Sequence, residues 1–125
     1  LEVAIHLCDA LVREHRPSEG LERIAAAESA AGLEGAFFAS ALSRVRSQAL
    51  WQLGDVNGAR SEAGRGVQAA VDAGLPYEEA LLRDWRIRMA VSEGLEVDAE
   101  DVRRRDELFA GLGIWSQADE QLAVG

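Results

Sequence analysis

The chain says one short phrase three times, as Ala31-Gly32-Leu33, Ala73-Gly74-Leu75 and Ala110-Gly111-Leu112. Each copy closes a stretch whose apolar residues recur with the period of a helix. A glycine just past a helix end takes the left-handed conformation that other residues resist, and the apolar residue after it packs back on the last turn. From Gly32 to Gly74 is 42 residues and from Gly74 to Gly111 is 37. Stops at a spacing of about 40 mean that one structural unit is reused, and a unit of that length is a pair of helices. The sequence therefore predicts an all-α domain over residues 1–113. Three antiparallel helix pairs (about 1–32, 33–74 and 75–113) stack as a short right-handed solenoid, with a C-terminal tail over 114–125.

Six helices follow from the pattern. The first, from about Glu2 to Glu14, puts Ala4, Leu7, Cys8, Leu11 and Val12 on one face. It ends at Arg16-Pro17, because a residue before proline is pushed out of helical geometry. Ser18 is the expected cap of the second helix, whose stripe is Leu21, Ile24, Ala25 and Ala31. The third has the clearest periodicity, in Phe38, Ala41, Leu42, Val45, Ala49 and Leu53. Gly54-Asp55 turns the chain, and Asp55 or Asn57 caps the fourth helix. That helix presents Ala59, Ala63, Gly66, Val67, Ala70 and Ala73. Such small residues let a neighbour approach closely, at a cost in helix propensity from Gly64 and Gly66. Pro76 opens the fifth helix, with Glu78 and Glu79 complementing its dipole and Leu82, Trp85 and Met89 as its stripe. Gly94 and Ala99 repeat Gly54 and Ala59 at an offset of 40. Asp98 caps the sixth helix, which shows Ala99, Val102, Phe109 and Leu112. In the tail, Trp115 is expected to dock on the last pair.

The segment Ala49-Leu50-Trp51-Gln52-Leu53-Gly54-Asp55, with Ala59 and the Ala-rich fourth helix after it, resembles the helix–turn–helix of tetratricopeptide repeats. Those repeats end their first helix with an aromatic residue and a Leu-Gly pair, and place Ala at packing points of the second. The period here is nearer 40 than the usual 34 or so, and Gly66 stands where Ala is usual. The Arg-only, Ala-rich composition and the phrase Leu-Phe-Ala-Gly-Leu-Gly-Ile-Trp resemble the C-terminal arrays of large actinobacterial signalling proteins. Those proteins join an ATPase module to a nucleotide cyclase or a LuxR-type DNA-binding domain. The resemblance implies a tetratricopeptide-like solenoid acting as a sensor or inhibitory scaffold.

Composition excludes several functions. The formal charge is −9, from 13 basic and 22 acidic side chains, which argues against general nucleic-acid binding and against anionic membranes. All 13 basic residues are Arg, a bias that a GC-rich genome produces. Without Lys there is no phosphate-loop lysine and no Schiff-base nucleophile. Gly58 to Gly66 resembles a phosphate loop only in its glycines and lies within a helix. His6 and Cys8 stand two apart, about 200° around a helix, and cannot share a ligand. Arg103-Arg104-Arg105 is flanked by Glu100, Asp101, Asp106 and Glu107, so pairing within the helix is expected rather than contact with nucleic acid. No catalytic residue, metal site or cofactor is expected. Cys8 is the only cysteine, which suits a reducing cytoplasm, and no run of 18 apolar residues or signal pattern appears. The start at Leu1 reads as a piece of something longer.

A second face of the third helix stands out. Phe37, Ala41, Arg44, Gln48 and Trp51 form a stripe about 100° from the core stripe, and Asp84 and Arg88 answer Arg44 and Gln48 forty residues on. Aromatic and Arg side chains on such a face are what binding hot spots are made of. The leading expectation is a non-catalytic interaction module that grips a protein or peptide, or another domain of its own chain. Its groove contains Phe37, Arg44, Gln48, Trp51, Asp84 and Arg88, and Trp51→Ala weakens binding without unfolding the domain. The alternatives are a ligand-sensing domain controlling an attached ATPase, cyclase or DNA-binding domain, and a homo-oligomer joined through uncapped repeat ends.

Overall fold

The computed structural model describes the backbone over residues 2–31 and 33–113, with side chains at 6, 7, 9–26 and 38–113. The expectations for Gly32, Ala4, Cys8, Ala31, the Phe37 side chain and the tail with Trp115 lie outside the described residues. The described residues are all-helical: α1 Glu2–Arg13, α2 Pro17–Ala31, α3 Leu33–Gln52, α4 Val56–Ala73, α5 Pro76–Ser92 and α6 Ala99–Gly111.

Four helices end in the same way. At α1, α3, α4 and α5 a residue with positive φ gives its N–H to the carbonyl three back, and the next residue gives its N–H to the carbonyl five back. These pairs are His15 to Val12 with Arg16 to Leu11, Gly54 to Trp51 with Asp55 to Leu50, Gly74 to Val71 with Leu75 to Ala70, and Gly94 to Val91 with Leu95 to Ala90. This is the Schellman closure, which satisfies carbonyls that the helix end would otherwise orphan. At α1 the left-handed position falls to His15, at φ 58°, with no glycine available.

The third copy of the repeated phrase behaves differently from the sequence expectation. Gly111 is the last residue of α6, Leu112 still gives its N–H to Leu108, and the left-handed residue is Gly113 at φ 73°. Glycine permits a left-handed turn but does not compel it, so the helix runs on until a second glycine takes that role. The stops at Gly54, Gly74, Gly94 and Gly113 are then 20, 20 and 19 residues apart, and the period is more regular than the phrases suggested. Ser18 is also displaced. Pro17 is the first residue of α2, and the Arg16 carbonyl accepts from Gly20, which puts Ser18 inside the first turn. Asp55 and Asp98 do cap α4 and α6, accepting from the N–H groups of Gly58 and Glu100.

Every helix packs on the one before and the one after it. In addition α1 touches α3 and α3 touches α5, whereas no two even-numbered helices touch among the described residues. The core follows this line as a string of clusters. Val12, Ile24, Ala41, Leu42, Val45 and Ala49 join α1, α2 and α3. Ala59, Ala63 and Met89, with Leu50, Trp51 and Trp85 against them, join α3, α4 and α5. Val67, Ala70 and Leu82 carry on between α4 and α5, and Ala80, Leu108 and Phe109 hold α6. Several stripe residues expected inside are exposed: Leu7, Ala25, Leu53, Ala73, Ala99 and Leu112. Leu53 lies beyond the last turn of α3, where the wheel no longer applies.

The close approach of helices is concentrated at Gly66. A Cβ built there would lie 2.8 Å from Leu82 Cδ2 and 3.0 Å from Ser43 Cβ, whereas one at Gly64 would meet nothing within 4 Å. Two glycines on one helix thus have opposite reasons to be there. Gly64→Ala is expected to stabilise the domain by about 0.5–1 kcal/mol through helix propensity. Gly66→Ala is expected to lower stability by about 1 kcal/mol, because overpacking against the fully buried Leu82 exceeds the same propensity gain. Urea unfolding of the two variants checks this, and equal shifts of one sign would refute the packing account.

Candidate functional site

The row of odd-numbered helices carries an open groove of about 500 Å³. Three helical stripes line it: His6, Asp9 and Arg13 on α1, Phe38, Ala41 and Arg44 on α3, and Tyr77, Glu78 and Leu81 on α5. Arg44 sits across the groove and forks onto Glu78, with Nε 3.1 Å from Oε2 and Nη2 3.4 Å from Oε1. On the α1 side Arg13 bonds Asp9 at 2.9 Å. Each guanidinium is thus matched by a carboxylate, so the lining is charge-balanced in a chain whose net charge is −9. Between the ion pairs lie apolar surfaces, among them Tyr77, which is 51% exposed. An arrangement of this kind suits an inserted apolar side chain flanked by hydrogen-bonding groups.

The residues singled out from sequence are distributed unevenly. Arg44 lines the groove, and Gln48 lies one turn further along the same face of α3, half-buried. Phe38 also lines the groove, from α3. Trp51 packs instead on Ala59, Ala63 and Met89 and meets Trp85 edge to face, with ring centroids 6.0 Å apart at 80°. Asp84 accepts from Arg88 at 2.9 Å and from Arg105 of α6 at 3.0 Å. Sequence reasoning missed Tyr77, Leu81 and Glu78, as well as the α1 stripe. A signal for two of them was present. Tyr77, Leu81, Asp84 and Arg88 repeat Phe37, Ala41, Arg44 and Gln48 at the same offset of 40.

A second cavity of about 260 Å³ lies between α4, α5 and the start of α6. Arg60 and Ser61 form one wall, Arg86, Met89 and Ala90 the floor, and Glu96, Asp98 and Asp101 the other wall. Burial pushes the Asp101 carboxyl above its ordinary range, against the pull of Arg86 and Arg83.

The arginine triplet is engaged by carboxylates throughout. Arg103 bonds Glu100 and Glu107 at 2.6 Å each, which raises its affinity for its proton and lowers the Glu100 carboxyl. Arg104 reaches Glu79 at 3.0 Å and Glu107 at 3.6 Å, and Arg105 reaches Asp84 and Asp106 at 3.0 Å each. Pairing within the helix therefore holds as expected, and two of the three arginines also cross to α5. Among the described residues no group of three or more His, Cys, Asp and Glu is placed to hold a metal ion, and no helix is long and apolar enough to cross a membrane. No family model matches the chain, and no curated protein or solved structure shows significant similarity to it.

Trp51→Ala is expected to lower unfolding stability by about 2–4 kcal/mol, since it empties the contact between α3, α4 and α5. Trp51→Phe should recover more than half of that. Thermal and urea unfolding, followed by circular dichroism, would show a wild-type midpoint for Trp51→Ala if the ring were a groove residue instead.

Proposed function

We propose that this domain is a short right-handed solenoid of tetratricopeptide type whose first helices, α1, α3 and α5, hold a segment of a protein partner. The role is that of a non-catalytic scaffold. The partner is a peptide, a helix or a neighbouring domain of the same chain, within a larger cytoplasmic regulator of the ATPase, cyclase or LuxR kind. The observation that carries the reading is the groove itself. It runs over three helices that touch one another in a row, with Phe38, Tyr77 and Leu81 between two ion pairs. Repeat stacks use such faces for binding because the stacking core lies elsewhere and leaves the face free to vary.

Selection of 12-residue peptides from a displayed library against the whole chain tests this. Tyr77→Ala and Leu81→Asp are expected to weaken the selected peptides at least tenfold, about 1.4 kcal/mol. Tyr77→Ala should leave stability within about 0.5 kcal/mol, because its ring is half in solvent. Peptides indifferent to both substitutions would place binding elsewhere and refute the groove.

The cavity between the second and third helix pairs favours a second reading, a small-molecule sensor. Arg60 faces the same space as Glu96 and Asp98, while Arg86 is held by Asp101, so a zwitterionic ligand would set its carboxylate on Arg60 and its cationic group on Glu96. Thermal-shift screening of small carboxylates is expected to find one whose stabilisation disappears in Arg60→Ala and persists in Tyr77→Ala. The opposite pattern would return the ligand to the groove.

A further inference from the structure

Among the described residues α4 and α6 do not touch, although both pack on α5. The cavity of about 260 Å³ is the space left between them. Arg60 and Ser61 of α4 stand on one side of it. Glu96 and Asp98 of the α5–α6 connection and Asp101 of α6 stand on the other, with Arg86, Met89 and Ala90 of α5 beneath. Most of the charged groups here are spent within the protein. Asp98 accepts from the Glu100 N–H at 2.9 Å, and Asp101 accepts from Arg83 at 2.9 Å and from Arg86 at 3.2 Å. Arg60 and Glu96 are the exceptions. Among the described residues neither makes an ion pair, with the other or with any neighbour.

The chemistry of an occupant follows from those two charges. It needs an anionic group for Arg60 and a cationic group for Glu96, where Asp98 and Asp101 add to the negative side. Met89 and Ala90 offer the rest of the molecule an apolar floor. The volume falls below the ~300–1,000 Å³ of sites for drug-sized ligands, which leaves out a nucleotide and fits a single free amino acid. Resting on the sensor reading of this cavity, we propose that its ligand is a free amino acid that acts as the missing tie between α4 and α6. α6 is the helix such a tie affects most. Among the described residues it alone packs on a single neighbour, so one interface holds it in place. The far wall of the cavity keeps its position only while α6 is docked, because Asp101 belongs to α6 and Asp98 is its cap. A molecule gripped from both walls therefore binds the docked arrangement and stabilises it by mass action.

Amide hydrogen exchange of the whole chain, with and without each standard amino acid, tests this. At about ten times its Kd, one of them should slow exchange over α6 roughly tenfold, the factor by which binding suppresses an opening that releases the ligand. α1 and α2, which do not line the cavity, should keep their rates. Arg60→Ala and Glu96→Gln, both at exposed positions, should lose the slowing. An amino acid that needs Arg60 to bind yet leaves α6 unprotected, or slows all six helices alike, overturns the tie and leaves the sensor reading standing. If no amino acid binds but another small carboxylate does so through Arg60, the ligand class is overturned and the reading again stands. If neither binds in calorimetry, both fall together.

Discussion

The arrangement depends on how closely α4 approaches α3, and one hydroxyl fixes that approach. Ser47 of α3, fully buried, donates to the Ala59 carbonyl of α4 at 2.6 Å and accepts from the Trp85 indole of α5 at 2.8 Å. Three helices are thereby tied through one small side chain, and each polar atom involved is satisfied inside the core. Ser43 repeats the device one turn earlier, donating to Glu62, whose carboxylate also takes Arg46. Small residues on both surfaces make the approach possible: Ser43 and Ser47 on α3 and Ala59, Ala63 and Gly66 on α4. A larger side chain at any of these points would part the helices and break the bonds with them.

From that centre the character of the interfaces changes along the stack. Between α1, α2 and α3 the contacts are aliphatic, helped by Gln52 donating to the Val12 carbonyl. Around Met89 they become aromatic and small, and between α5 and α6 they are mostly arginine with carboxylate. A chain with 13 arginines and 22 acids has enough of both to build an interface this way. Buried ion pairs add little net stability but discriminate strongly between matched and mismatched partners. On α6, Glu100, Arg103, Asp106 and Glu107 are exposed, and Arg103 pairs with Glu100 and Glu107 there.

The groove follows from the same architecture. Because α1, α3 and α5 touch in a row, their outward stripes become contiguous although they are far apart in sequence. Its charges are internally matched, which lets apolar insertion dominate over the chain's overall negative field. Trp51, the most conspicuous side chain on the α3 stripe, packs on Ala59, Ala63 and Met89 and edge to face on the tryptophan one pair further on.

The sequence by itself determined the number and class of the elements. Helical periodicity, Pro76, Asp55 and Asp98 act within a turn or two of their own positions, so the helices and most of their boundaries were legible. The core positions of α3 and α4 were legible for the same reason, since a 3.6-residue period names a face. What only the tertiary structure decided was which face meets what. Trp51 is a packing residue because Trp85 lies 6.0 Å away, Arg44 is held by Glu78 34 residues on, and Arg104 is held by Glu79 25 residues back. Pairings at those separations depend on how helices are rotated against each other, and no local rule encodes that rotation.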